Sequence, residues 1–589
     1  MTQPEAIEVR VPVLIVGAGP AGLTASLLLR QLGVEALTVT RYGWTANSPR
    51  AHYQNQRSIE ILRELGLEEE VMACGLPEHL FRNVVWASSL NGAEFARLPT
   101  YMAARRDDYL GASPCGSSNI PQHLLEPIMA RAAMQRGAAI RWNQELLDLS
   151  QDAEGVTALM RDRISGREYR IHAQYVIGAD GARSRVVEAL GIGLQGPQGW
   201  AAAVNVWFRA DLARYCEHRP GVLYWINRPG NDFWVGSGAF VNVRPWNEWV
   251  LSFMYAPDQG LPDLSPEALS ARIRGLVGDE RLAVEVLSSS PWQMNAQVAE
   301  RMALGRVFIA GDAAHRHPPS GGLGSNTSMQ DAYNLAWKLK LVLDGQAAPA
   351  LLDSYDVERR PVAQQVVARS MQSVQELGAV AAAIGFSPQQ SEEEGWQAYA
   401  ELSEPGPKGK AKRQALREAI ALQQYHFCAH GVELGVRYRE GALLADPALD
   451  EGQPARDPQI HYQPLAHPGC HLPHAWLEKD GRRLSTLDIT GNGRFVLLLG
   501  HDAWAWEQAA AAVREALGVP LAVARLGVGL DYADVLGQWT ALSGIEDDGC
   551  LLVRPDKVIA WRCASLPRDP RADLRNALAQ ILGLTPSLQ

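Results

Sequence analysis

Residues 11–22, VPVLIVGAGPAG, carry a continuous apolar run into three glycines, Gly17, Gly19 and Gly22. Residues 22–33, GLTASLLLRQLG, follow with apolar residues at helical spacing and stop at Gly33; residues 34–39, VEALTV, read as a second strand. Strand, glycine turn, helix and strand make one βαβ unit. In that context Gly-x-Gly-x-x-Gly is a dinucleotide fingerprint. Gly17 permits the tight turn, Gly19 lets a diphosphate approach the backbone, and Gly22 allows close helix–strand packing, while the helix N-terminus stabilises the phosphate charge. An acidic residue ordinarily ends the second strand and holds the adenosine ribose. Thr40 and Arg41 stand there instead. A hydroxyl can still bond a ribose, Arg41 can cover the adenine or a phosphate, and an arginine there also suits the 2′-phosphate of NADP.

The chain around this unit has 589 residues, enough for roughly three to four domains. Hydrophobic residues make up 47% and charged residues 20%, as in soluble globular proteins, and the net charge of −10 is scattered rather than clustered. That balance argues against a nucleic-acid or anionic-membrane surface. The opening residues show no secretory signal, and no apolar run reaches the ~18–20 residues of a membrane span. Seven cysteines lie scattered, with no CxxC pair. Such a set fits reduced thiols in a cytoplasm better than a disulfide framework, and no metal site is expected.

Further along, residues 53–75 read as helical, as do residues 120–137 after a proline near the first turn. Residues 200–294 are aromatic and β-rich, as in a large antiparallel sheet. Residues 404–414, EPGPKGKAKRQ, read as a loop between helices. From about residue 440 a smaller α/β unit begins, with strand candidates RFVLLLG, LAVARLGV and CLLVRP and a helix in AWEQAAAAVREALG.

Two more glycine–acid motifs follow strands: Gly178-Ala179-Asp180-Gly181-Ala182-Arg183-Ser184 after YVI, and residues 305–315, GRVFIAGDAAH. With these in place, residues 11–365 resemble the class A flavoprotein aromatic monooxygenases, the para-hydroxybenzoate hydroxylase superfamily, whose three fingerprints occur in this order. The strings SPRAHYQNQRSIEILRELGL, SSNIPQHLLEP, RPGVLYWI, RPWNEW and GDAAHRHPPSGGLGSNTSMQDAYNLAWKL are similar to its phenol hydroxylase branch, and within that to the chlorophenol hydroxylases. The resemblance implies an α/β fold: a Rossmann-type FAD-binding domain with an inserted β-rich substrate domain and a C-terminal thioredoxin-like domain. Its implied boundaries are 1–190 for the first part of the FAD-binding domain (with a substrate-domain excursion near 81–104), 191–294 for the substrate domain, 295–400 for the second FAD-binding part, 401–440 for linker helices and 441–589 for the thioredoxin-like domain.

Residue by residue, the resemblance places the FAD diphosphate on Gly17, Gly19 and Gly22 with Arg50 contacting it, Gln122 near the ribityl chain, and Asp180 in a motif tied to both FAD and NAD(P)H. Asp312 would accept from a ribityl hydroxyl. Residues 315–326, HRHPPSGGLGSN, form a turn whose successive N–H groups at a helix entry make an anion-stabilising nest. In a flavin site that nest, with Gly324, Ser325 and Asn326, faces the edge where reduction places negative charge, and Pro318 and Pro319 stiffen the loop. His315 reads as structural. Where relatives have glycine, this chain has Ser328.

Such an enzyme forms an electrophilic hydroperoxide at the flavin C4a, which a phenol attacks best as phenolate. An ordinary phenol has a pKa of about 10, so a base is needed. The branch has a catalytic Asp five residues before an Arg-Thr pair; Arg57-Ser58 matches the pair, which puts the position on His52. Histidine is a reasonable base near neutrality. Tyr224 resembles a substrate-facing tyrosine. The activity so implied is FAD- and NAD(P)H-dependent ortho-hydroxylation of a phenol or chlorophenol to a catechol, with O₂ and a small phenolic substrate as reaction partners, in a cytoplasmic homo-oligomer, dimer or tetramer. The alternatives are a hydroxylase tailoring a polycyclic polyketide and, in another class, a non-enzymatic binding protein on the same fold. A flavin halogenase would need a WxWxIP segment, which the chain lacks.

Overall fold

The computed structural model describes residues 8–447, 449 and 452–584. The start of the first expected domain, the extreme C-terminus and three positions in the 441–452 loop lie outside them.

The βαβ unit seeds an eight-stranded sheet. Strand Glu8–Val16 sits at its centre, parallel to Ala36–Val39 on one side and to Glu168–Gly178 on the other. Val307–Ile309 extends the parallel run beyond Glu168–Gly178, and Ala139–Arg141 closes the far edge. Val13, Leu14, Ile15 and Val16 are buried, as a strand covered on both faces requires. This order brings the carboxyl ends of three strands, and so all three glycine motifs, to one rim, where open α/β sheets bind ligands.

A seven-stranded sheet stands beside it, in the order Glu285–Met294, Ala201–Arg209, Glu248–Tyr255, Gly238–Arg244, Leu223–Ile226, Asn83–Ala87, Glu94–Pro99. One face packs on the helix Pro266–Val277; the other, through Val84, Trp86 and Trp225, meets Tyr53, Tyr101 and Phe427.

The thioredoxin-like unit holds four strands in the order Leu521–Arg525, Phe495–Leu499, Cys550–Val553, Ile559–Cys563, flanked by the helices Trp504–Leu517 and Pro570–Ile581. It is not a detached body. Trp337 and Leu341, on the helix Gly324–Leu343, share one apolar core with Phe495, Leu497 and Trp506. Cys550 and Cys563 are free thiols that stand opposite each other across two adjacent antiparallel strands.

Two expectations change. The segment 53–75 is not one helix. Tyr53 and Gln54 pair with Asn119 and Ser118, Asn55 caps a helix Gln56–Glu64 by accepting from the Ser58 N–H, and Gly66, at φ 65°, separates a second helix Glu68–Cys74. Residues 407–414 are helix rather than loop: Pro407 sits in the first turn of Pro407–Leu422, where its missing N–H costs nothing, and the Lys, Arg and Gln that follow are good helix formers.

Candidate functional site

Three glycines do different work at the first motif. Gly17 has φ 113°, and a Cβ there would come within 2.1 Å of the Ala179 carbonyl oxygen; on Gly22 it would come within 1.9 Å of the Gly17 carbonyl oxygen. Both are glycine because the fold leaves no room. A Cβ on Gly19 would meet only Glu126 Oε1, at 3.8 Å. That opening lies at the start of the helix Pro20–Gln31, whose N-cap offers no side-chain acceptor, so the first N–H groups face it. A diphosphate fits such a cradle in charge and shape.

Arg50 Nε donates to Gln122 Oε1 at 3.1 Å, and Gln122 Nε2 donates to Glu126. Burial raises the Glu126 carboxyl, although Gln122 and the Ala46 N–H both donate to it. Glu126 was not expected here; its spacing of four from Gln122, one helical turn, is the signal that could have found it.

Arg41, Arg183, Arg185 and Arg316 line a groove of about 620 Å³ beside the second motif. Asp180 is half-buried behind the lining residues Ser184 and Arg185, accepting from Ser184 Oγ and from the Arg185 N–H at 2.7 Å. Ser184 in turn caps the helix Arg185–Leu190. Asp180 therefore shapes the turn that presents two of these arginines, Arg183 and Arg185. Thr40 is buried, and its hydroxyl faces the Tyr42 N–H at 3.4 Å.

At the third motif Asp312 is exposed, with no described donor on its carboxylate. Its neighbours point elsewhere. His315 Nε2 meets Asp331 at 2.8 Å, Arg359 donates to the same carboxylate, and the Gly311 N–H joins them, a buried structural cluster. After Pro319, which is exposed, Gly321 and Gly322 take φ of 82° and 62° and lead into Gly324–Leu343, a helix with no side-chain cap. The Ser328 hydroxyl fits by donating to the Gly324 carbonyl at 2.8 Å. The nest expected at Gly324, Ser325 and Asn326 is one of backbone N–H groups, and the side chains of Ser325 and Asn326 have partners of their own. The Asn326 side chain accepts from the Asn55 N–H and Ser58 Oγ and donates to the carbonyls of Tyr53 and Gly322, while Ser325 Oγ bonds Gln54. Their side chains bolt residues 53–58 to the loop, which leaves only backbone N–H groups for a flavin edge.

The two expected catalytic side chains are redirected. His52 is half-buried beside His123, and burial, reinforced by that neighbour, lowers it to about 3. It is neutral near pH 7 and a poor proton acceptor for a phenol. Tyr224 faces the wrong side of its strand. Successive residues alternate faces, so Tyr224 and Ile226 turn into the core under the helix Pro266–Val277, and the Tyr224 hydroxyl donates to the Arg219 carbonyl and accepts from the Gly221 N–H. Leu223 and Trp225 face the flavin loop side with Val84 and Trp86. What that side holds was missed: Tyr53, stacked on Tyr101 with centroids 3.9 Å apart, its hydroxyl donating to Glu433 at 3.0 Å. Burial raises the Glu433 carboxyl to about 7. Nothing in the sequence brings residue 433 to residue 53.

Residues 10–370 match the family model described as FAD binding domain, and residues 465–585 match that described as aromatic-ring hydroxylase, C-terminal. The chain is 44% identical to 2,4-dichlorophenol 6-monooxygenase of Cupriavidus pinatubonensis, over 98% of this chain and 97% of that one. It is 41% identical to phenol 2-monooxygenase of a Pseudomonas species, over 97% and 93% of the two chains. Among solved structures, the flavin-dependent monooxygenase PieE in complex with FAD and substrate superposes with a TM-score of 0.95 at 44% identity, covering 99% of this chain and 100% of that chain. Relatives named for polyketide hydroxylation match at 32–35% identity.

Proposed function

The chain belongs to the FAD-dependent aromatic-ring hydroxylases, and on that premise we propose that it hydroxylates a phenol or chlorophenol at the ortho position to give a catechol. It is an enzyme, it uses FAD, and NAD(P)H is its reductant. The observation that carries the substrate reading is the similarity over nearly the full length to chlorophenol and phenol monooxygenases, above that to polyketide hydroxylases.

Bound FAD, once reduced, supplies activated oxygen for insertion into the ring. The chain's residues hold and surround it. The Gly19 opening and the uncapped N-terminus of Pro20–Gln31 support a diphosphate, with the Arg50–Gln122–Glu126 chain beside it. Asp312 is free to accept from a ribityl hydroxyl, and the uncapped start of Gly324–Leu343 offers N–H groups to a negative flavin edge. The groove of four arginines suits the phosphates of a dinucleotide. Trp86, Trp225, Tyr101 and Phe427 form an apolar layer that excludes water from an aromatic ring.

A homo-oligomer is part of this reading, supported by Trp504, Val528, Val535 and Leu536 exposed on the C-terminal unit. So is a cytoplasmic site of action, supported by the free thiols; no described helix is long and apolar enough to cross a membrane.

The test is NAD(P)H oxidation across a panel of phenols with product identification. Catechol formed in step with reductant consumed is expected. Reductant consumption that yields only hydrogen peroxide with every phenol refutes the proposal. Acid precipitation is expected to release FAD into the supernatant, as a non-covalent cofactor must be.

A further inference from the structure

One buried pair against the flavin loop has no part in the scheme above. Tyr53 is held by pairing with Asn119 and by Asn326 Nδ2, which donates to its carbonyl at 2.9 Å. A Cβ on Gly322 would lie 3.1 Å from the Tyr53 Cβ, so the tyrosine touches the loop. Its ring stacks on Tyr101, which adopts φ 48°, a left-handed conformation that a non-glycine residue keeps only when its surroundings hold it, as at functional sites. The Tyr53 hydroxyl donates to Glu433, 3% exposed, on the short helix His430–Leu434.

Beyond the Tyr53 hydroxyl, this carboxylate is opposed in its burial only by the field of Arg105. Arg105, from the segment before it, spends its guanidinium on the carbonyls of Ile460 and Cys428 and on His461 Nδ1. Tyr101, Tyr109 and Cys428 are pushed up by burial and stay neutral. His430, on the same helix, is lowered by burial to about 3 and stacks on Tyr109. Glu433 also borders a cavity of about 20 Å³, with Arg57, Tyr333, Asn334, Tyr438 and His471 in its wall. That volume is room for one water.

We propose that Tyr53 and Glu433 carry the phenol proton out of the hydroxylation site. The substrate O–H bond breaks as a new O–H bond forms on Tyr53. The original Tyr53 O–H bond breaks in the same movement, and its proton ends on Glu433 Oε2. Carboxylate and phenol become carboxylic acid and phenolate, so charge is conserved. Tyr53 touches the substrate; Glu433 acts through it, as a positioning and proton-holding residue. The inference rests on the phenol hydroxylase reading.

Magnitudes favour this pair over His52. A carboxyl at about 7 binds a proton some four orders of magnitude more tightly than an imidazole at about 3. Against a phenol near 10, the uphill transfer shrinks correspondingly, and for an acidic chlorophenol it shrinks further.

The test uses the holoenzyme and single-turnover hydroxylation of phenol and of 2,4-dichlorophenol, read as pH–rate profiles between pH 5 and 9. In the wild type the rate with phenol should rise through an inflection near pH 7, as the Glu433 carboxylate becomes free to take a proton. In Tyr53→Phe and in Glu433→Gln that inflection should vanish and the rate with phenol at pH 8 should fall about 10-fold or more, and less for the more acidic 2,4-dichlorophenol. FAD content should hold and substrate affinity should change only a few-fold, and Glu433→Asp should restore part of the rate. An unchanged profile in Glu433→Gln overturns the proposal, and that variant decides alone if Tyr53→Phe loses its flavin. A wild type that hydroxylates phenols with no inflection near pH 7 also overturns the relay, with the hydroxylase reading intact. A wild type that hydroxylates no phenol overturns the reading itself, and the relay with it.

Discussion

Glu358 and Glu433 are both buried glutamates, and their surroundings push them in opposite directions. Burial alone would raise Glu358, but it receives Arg554 at 2.7 and 2.9 Å, Lys338 at 2.8 Å, Asn334 at 2.6 Å and the Ala442 N–H at 2.8 Å. Those charges hold its carboxyl well below the usual range. Around Glu433 burial also dominates, and only the Tyr53 hydroxyl and the field of Arg105 oppose it. One carboxylate is saturated and serves as a bolt between the helices Gly324–Leu343 and Ser354–Ile384 and the C-terminal unit. The other keeps proton affinity to spare beside the flavin loop. Partner count, not burial, separates structural charge from chemical charge.

The largest effect should come from the saturated member. Glu358→Ala leaves Lys338 buried without its ion-pair partner and Arg554 with Asp556 alone, a loss of about 3–5 kcal/mol. Thermal unfolding should show a large drop in midpoint, and an unchanged melt would mean the bolt bears nothing. Because the folded carboxyl is depressed, its contribution in the wild type is complete above the ordinary glutamate value of about 4.3 and is lost as pH falls below it.

Asp312 is a third case, a carboxylate exposed at the third motif with no described donor. Asp312→Ala should weaken FAD by about 1.5–3 kcal/mol, read as the dissociation constant in a flavin-fluorescence titration, through loss of a charge-assisted hydrogen bond. Unchanged affinity would remove this residue from the cofactor site.

Glu433→Gln should do the reverse of Glu358→Ala. The wild-type carboxyl is raised, so its ionisation opposes folding, an opposition that grows from the ordinary value up to about 7 and is constant above it. At pH 8 the variant should be more stable by on the order of 1–3 kcal/mol, with a much smaller gain at pH 5. Chemical denaturation at both pH values measures this; a gain at neither would place the carboxyl in the ordinary range and erase the contrast.

His52→Ala should matter least. With its imidazole lowered to about 3, its removal should change hydroxylation rates only a few-fold, against the ~10²–10⁴ expected for a general base. A rate loss in that upper range, steeper for less acidic phenols, would return His52 to the base role.

Much of the cofactor cradle was legible because it depends on neighbours in sequence. Gly17, Gly19 and Gly22 answer to turn sterics within one strand–helix junction, and Asp180 and Asp312 each end a strand. The thioredoxin-like strands fall on RFVLLLG, LAVARLGV and CLLVRP for the same reason. Reading failed where parity or partners decide. Tyr224 and Trp225 are equally aromatic neighbours, and only the packed sheet says which faces the loop. His52 looked like a base because its desolvation cannot be seen in a string of letters. The Asn326 side chain bonds the Tyr53–Ser58 segment, a pairing across 268 to 273 residues that no sequence spacing announces.

The sequence by itself determined the FAD-binding architecture, the enzyme family and the glycine turn that opens at Gly19, since glycine spacing and strand–helix periodicity are local constraints on backbone geometry. Tertiary structure alone decided which groups can move protons. Proton affinity follows from desolvation and from the charges within a few ångströms, and those are set by residues such as Tyr53, Arg105 and Glu433 that only folding brings together.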